Sequence, residues 1–283
     1  MMRPVSRPDK GVPDNTRQTP DTDRRTRGSA LQTPDIHAQT NATTSATPTP
    51  AARPRAKATK PTLTWEKRLW ASGHRFVAGV DEVGRGAWAG PLTVGVVVLA
   101  PPPWRTPTGL RDSKQLVEEV RERLFDRLAR WCTSWAVGHA GPEECDSLGM
   151  TAALRLATRR AFAQLPPDFL PDAVVLDGTF DYVTPEPAPS LFDEADTTLP
   201  GWAPSVQTVI KADAKCSSVA AASVLAKVTR DRLMRADADS YPPFEFDRNK
   251  GYPSPTHQRA LRGYGLTAIH RRSWVYVENL PWR

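Results

Sequence analysis

The stretch AGVDEVGRGAWAGPLTVGVVVL, residues 78–99, limits the fold more than any other part of the chain. Two apolar, β-branched runs, 75–83 and 92–100, flank a glycine-rich turn. The pattern predicts a strand, a tight connection and a second, buried strand. A dinucleotide-binding fold is excluded, because its G-x-G-x-x-G turn must open a helix whose N-terminus faces the pyrophosphate. Here the third glycine, Gly90, comes one residue late, and Pro91 and a strand follow it. A P-loop is excluded as well, since no G-K-[ST] closes the turn.

Asp81 and Glu82 end the first run, just before Gly84-Arg85-Gly86. Glycines let a backbone approach a ligand and expose N–H donors. Carboxylates, however, repel phosphate. The two features are compatible if cations lie between them. Two Mg²⁺ or Mn²⁺ ions held by carboxylates would bind a phosphate while the turn grips the adjoining sugar–phosphate backbone, as in two-metal phosphodiester cleavage. That chemistry requires more acids, and two other apolar runs end in one. AVVLDG supplies Asp177, and VIKADA supplies Asp213 before an Ala-rich helix. Each has a plainer explanation. Asp before Gly is a common turn residue, and an acid near a helix N-terminus is favoured by the helix dipole. Four acids at strand ends in a basic chain point to a metal cluster in a positive groove.

The net charge of +7 and the pI near 9.5 fit a polyanionic partner, nucleic acid first. The 28 prolines and mean hydropathy of −0.48 suggest that part of the chain is unfolded. That part is 1–62, rich in Pro, Thr and Arg and free of periodicity, read as a disordered basic tail. The folded domain then spans 63–283. Its predicted elements are a short helix at 63–73, strands at 75–83 and 92–100, and a helix at 113–131 with Ser113 as N-cap. A strand at 134–140, a helix at 142–165 broken near Gly149, and strands at 172–178 and 206–214 come next. Helices at 217–239 and 255–265 complete the order. This is a mixed α/β chain. The proline-rich, acidic stretch 181–203 reads as a loop insertion. Cys132, Cys145 and Cys216 are odd in number and form no CxxC, which fits a reducing cytosol and a cytoplasmic protein. No membrane span or secretory leader is expected.

Five blocks in order, GVDEVGRGAWAGP, LRDSKQL, VLDG, KADAK…AAASVLAKVTRDRLM and KGYPSPTH, make the chain resemble bacterial-type ribonuclease HII over roughly residues 74–275. The resemblance implies an RNase H-like mixed β-sheet flanked by helices, with a helical C-terminal extension over about 217–283. It implies endonucleolytic cleavage of RNA in RNA–DNA hybrids and of single ribonucleotides in duplex DNA, with Mg²⁺ or Mn²⁺ as cofactor. The metal-binding acids would be Asp81, Glu82, Asp177 and Asp213. Gly84, Arg85 and Gly86 would read the ribose 2′-OH, the group that separates RNA from DNA, and Tyr252 would stack on the next sugar. Without that context Tyr252 would read as a packed loop aromatic. Ser113 and Lys114 are expected as phosphate or turn contacts. Lys227 and Arg230 are expected as a phosphate-binding edge, with a solvated helix face as the alternative. Asp231 is expected to pair with neighbouring arginines, and His257 to serve as a loop or cap residue. The partners would be RNA–DNA hybrid and ribonucleotide-containing DNA duplex, bound by a monomer. The tail, the 181–203 insertion and Trp274, where the family more often has Phe, depart from the pattern.

Overall fold

The computed structural model describes residues 60–101, 105–184, 199 and 201–274, all within the unit Arg55–Arg283. Residues 1–59 of the expected tail and most of the 181–203 insertion lie outside the described residues. The order of the main elements agrees with the sequence reading. α1 (Thr64–Ala71) precedes β1 (Val77–Val83) and β2 (Leu92–Leu99); α2 (Glu118–Trp131), β3 (Ser134–Ala140), α3 (Pro142–Ala163) and β4 (Ala173–Asp177) follow. β5 (Ser205–Val209), α4 (Ser217–Ala238), α5 (Phe246–Asn249) and α6 (Pro255–Tyr264) complete it. α3 leaves helical geometry at Gly149, whose φ is 76°.

The five strands form one sheet in the order β3-β2-β1-β4-β5. β1 to β3 run antiparallel, β1 and β2 joined by the glycine turn and β2 and β3 by the segment that carries α2, while β1, β4 and β5 run parallel. Parallel neighbours need crossovers, and β2, α2, β3 and α3 together supply the one between β1 and β4. The sheet is covered on both faces, which explains why β2 is buried along its whole length. One face packs against α3 through Val80, Val94, Leu154 and Phe162. The other packs against α4 and α2 through Val97, Leu99, Leu128, Ala221 and Leu225.

Glycine sets how closely the helices sit. A Cβ on Gly79 would lie 2.3 Å from the Ser218 backbone, and one on Gly138 would lie 2.0 Å from the Ala157 carbonyl. The Ala-rich face of α4 therefore rests almost directly on β1 and β2. Its N-terminus is capped from α1, where the buried Glu66 accepts from the Ser218 N–H at 2.8 Å and its hydroxyl at 2.7 Å. Thr62, the last residue of the expected tail, bridges to Cys216. Cys132, Cys145 and Cys216 are all buried and free. Among the described residues no helix is long and apolar enough to cross a membrane.

Two expected boundaries are corrected. Ser113 does not cap α2. It begins a separate short turn, capped by the Asp112 carboxylate, and α2 starts five residues later at Glu118. β5 ends at Val209, so Asp213 is not at a strand end. Lys211 turns the chain with φ of 57°, and Asp213 sits in the one-turn helix Ala212–Ala214 just before α4.

Candidate active site

The site forms where the parallel strands β1 and β4 end side by side. Val80 pairs with Leu176, which places Asp81 and Asp177 at neighbouring strand ends. Clefts beyond the carboxyl ends of parallel strands are favoured ligand positions. Successive side chains on a strand point to opposite faces, so the adjacent acids have different surroundings. Asp81 turns toward α4. It is buried, and its Oδ1 accepts the Glu82 N–H at 2.9 Å. Burial, then the charges of Glu82, Asp177 and Asp213, raise its carboxyl well above the usual carboxylate range, while a hydrogen bond from Ser223 opposes the rise. Glu82 turns the other way, where the Tyr182 hydroxyl donates to its Oε2 at 3.0 Å and Arg85 approaches Oε1 at 3.6 Å.

Asp177 is tied to the turn before α4, accepting the Ala212 N–H at 2.6 Å. Asp213 is buried, and burial, Asp112 and Asp177 raise its carboxyl, with the exposed Lys114 ammonium 3.5 Å away in opposition. The fold thus brings the other three acids within electrostatic reach of Asp81 and leaves the four mutually repelling. Among the described residues, no three His, Cys, Asp or Glu side chains converge tightly enough to enclose a metal unaided. The donor set nevertheless fits a hard divalent cation: it is all oxygen, and bound positive charge would relieve the repulsion that burdens Asp81.

The glycine turn follows directly on Asp81 and Glu82 at the end of β1. Gly84 has φ of 87°, and a Cβ there would meet the Arg230 side chain at 2.4 Å. Its N–H reaches the Tyr252 hydroxyl at 3.1 Å, so the turn and Tyr252 touch although they are 168 residues apart. Gly86 differs. A Cβ there would meet nothing within 4 Å. It lines an open groove of about 510 Å³ with Arg85, Trp88, Met150 and Trp274. Among the described residues, no packing requires a glycine at Gly86.

Tyr252 is held from below by a chain of imidazoles. The Thr267 N–H donates to His270 Nδ1 at 2.9 Å, so His270 carries its proton on Nε2 and donates to His257 Nε2, also at 2.9 Å. His257 Nδ1–H then donates to the Tyr252 carbonyl at 3.0 Å. Burial lowers both imidazoles, His270 to about 3, so both stay neutral in this relay. His257 is a buried support for the Tyr252 loop.

The remaining expected contacts divide. Lys114 stands exposed beside Asp213, and Lys227 lies 5.8 Å from the Tyr252 ring while paired to Asp231. Arg121 also faces Asp231, at 3.6 Å. Arg230 is corrected: it is 0% exposed, and its guanidinium donates to the carbonyls of Ala89, Pro91 and Lys250, which leaves it no route to a phosphate. Ser113 is buried too. Its hydroxyl pairs with Ser223 at 2.8 Å, and Ser223 in turn bonds Asp81, so it lies behind the acids and away from solvent. Sequence reasoning missed Tyr182 and Ser223, the partners of Glu82 and Asp81. Tyr182 was assigned to a loop insertion, yet it is buried against the α3 face of the sheet. An aromatic five residues after Asp177 was its available signal.

The family model described as Ribonuclease HII matches residues 78–277. The chain belongs to the ribonuclease HII family. A ribonuclease HII of Streptomyces avermitilis is 49% identical over 225 residues, covering 79% of this chain and 88% of the relative. One from Thermus thermophilus is 43% identical over 218 residues, covering 77% and 95%. The crystal structure of ribonuclease H2 from Pyrococcus horikoshii OT3 superposes with a TM-score of 0.53 at 30% identity, covering 70% of this chain and 93% of that one. The RNase H-like architecture is therefore shared, with its mixed sheet, flanking helices and C-terminal helical part. Ribonuclease HII-type cleavage, of RNA in RNA–DNA hybrids or of ribonucleotides in DNA, is the activity of the family.

Proposed function

We propose that this chain cuts the phosphodiester 5′ to a ribonucleotide, in RNA–DNA hybrids and at single ribonucleotides in duplex DNA, leaving a 3′-hydroxyl and a 5′-phosphate. The observation that carries this reading is the nearness of two features along β1. Asp81 lies beside the end of β4 that carries Asp177, and three residues further on the Gly84 N–H meets the Tyr252 hydroxyl.

Asp81, Glu82, Asp177 and Asp213 would hold Mg²⁺ or Mn²⁺. Such ions would supply Lewis-acid chemistry, lowering the pKa of an attacking water and offsetting charge on the leaving oxygen. The chain's own groups do the rest. Ser223 and Tyr182 orient the Asp81 and Glu82 carboxylates by hydrogen bonds. The open backbone at Gly86 allows a ribose to approach closely enough for its 2′-OH to be read. The Tyr252 ring would cover the next sugar. Lys114 and Lys227 would face phosphates, a role for which their partial exposure is suited. We place the protein in the cytoplasm as a monomer.

The test uses a labelled DNA duplex carrying one ribonucleotide, with Mg²⁺ or Mn²⁺. A single cut 5′ to the ribonucleotide is expected, abolished in Asp81→Asn and weakened in Tyr252→Ala. Cleavage confined to long RNA–DNA hybrids would overturn the single-ribonucleotide part, and binding without cleavage would overturn the catalytic reading.

A further inference from the structure

Two arginines outside the proposed chemistry lie beneath the glycine turn. Arg230 on α4 and Arg271 beyond α6 are both 0% exposed. Burying a guanidinium without a carboxylate partner is costly, yet among the described residues their hydrogen bonds go to backbone carbonyls alone. Arg230 donates through Nε to Pro91 at 2.8 Å, through Nη2 to Ala89 at 2.9 Å and through Nη1 to Lys250 at 2.8 Å. Arg271 donates through Nε to Gly90 at 2.8 Å and through Nη1 to Gly84 at 2.7 Å. Its Nη2 is buried with no hydrogen-bond partner among the described residues, and the Trp274 ring lies 4.5 Å from its Cζ.

The five carbonyls define what these side chains join. Gly84, Ala89, Gly90 and Pro91 belong to the turn and its exit, and Lys250 stands two residues before Tyr252. Backbone bonds already tie the far end of the turn to the same loop, with the Trp88 and Ala89 N–H groups donating to the Gly251 carbonyl. Those bonds do not reach Gly84. Gly84 meets the loop through its own N–H on the Tyr252 hydroxyl, and the guanidinium groups brace that contact: Arg271 holds the Gly84 carbonyl, and Arg230, bound to Lys250, has its Nε 2.4 Å from where a Gly84 Cβ would lie. Arg230 Cζ also sits 5.4 Å from the Tyr252 ring.

We propose that Arg230 and Arg271 are positioning residues for ribonucleotide selection. They hold the Gly84–Gly86 turn and the Tyr252 loop at one fixed spacing, and so set discrimination between a lone ribonucleotide in DNA and a continuous RNA–DNA hybrid. The inference rests on the functional reading above. Its physical basis is that the two sugars compared differ by one hydroxyl. A turn and a ring that drift independently cannot resolve that difference.

Arg271→Lys tests it. A lysine keeps the charge but cannot bridge two carbonyls with a planar fork. Hydrogen exchange and the kcat/KM ratio on the two substrates are measured at a temperature where the variant is folded. Faster exchange is expected at 84–87 and 250–252 together, and the ratio of single-ribonucleotide to continuous-hybrid cleavage is expected to fall about tenfold. A folded variant with the wild-type ratio overturns the proposal even if its melting temperature drops, because a merely structural arginine would change only stability. If Arg271→Lys does not fold, wild-type exchange in graded denaturant decides. One common opening free energy for the two segments supports the clamp, and independent opening overturns it. Wild-type protein that spares the single-ribonucleotide duplex would count against the functional reading, and the exchange result would then judge the clamp by itself.

Discussion

Asp81 is the residue on which stability and chemistry conflict. Its carboxylate is buried among other acids, an arrangement that stabilises the fold only when positive charge is bound. Asp81→Asn removes the buried charge. Without divalent cations its melting temperature at neutral pH is expected to exceed that of wild type. Added Mg²⁺ or Mn²⁺ should raise the wild-type value and leave the variant's nearly unchanged, which a thermal melt with and without chelator reads directly. Gly86→Ala separates function from folding in the other direction. The added methyl meets nothing in the protein, so stability should stay within about 0.5 kcal/mol of wild type. Cleavage at a single ribonucleotide should drop if the backbone there contacts the ribose. At this scale the sequence was legible where chemistry demanded a residue type: acids ending apolar runs, glycines in a turn. It was not legible where burial decides. Lys227 and Arg230 lie three apart on α4, but that spacing cannot tell which cation is swallowed. Nor could Ser113 be recognised as lying behind Asp81 until α4 delivered Ser223 to it.

Among the elements, close helix–sheet contact is the dominant constraint. Gly138→Ala would drive a methyl into the α3 backbone at Ala157 and Ala161. The expected loss is about 1–3 kcal/mol, the usual cost of overpacking, measurable by urea unfolding. The C-terminal helical part carries a pH signature. Folding lowers the titration of His257 and His270, the latter to about 3, while the unfolded chain takes up those protons near pH 6.5. The unfolded state therefore binds more protons across that range. Stability should fall as pH drops below about 6.5, and His270→Gln should flatten the slope in melting temperature against pH. Most elements were visible in apolar periodicity. α5 was too short to leave a pattern, and the helix reading that began at Ser113 merged a separate turn with α2 because Val117, where the chain straightens, carries no breaker.

For the whole molecule, strand succession was readable but strand neighbourhood was not. Nothing local in GVDEV or VVLDG says that the two lie side by side, and that adjacency creates the site. It is established only after α2, β3 and α3 have been traversed, a non-local pairing of the kind that slows folding. The three cysteines offer a way to watch that process. All are buried, and burial pushes the Cys132 thiol up to about 12 and raises the Cys216 thiol still further. A thiol must reach water and lose its proton before it can attack an electrophile. Alkylation of the native protein should therefore be slow and should show a common rate for the three sites, a rate set by how often the whole structure opens. Each thiol thus becomes an internal clock, and the clock should run more slowly when the acids at the strand ends are neutralised by cations.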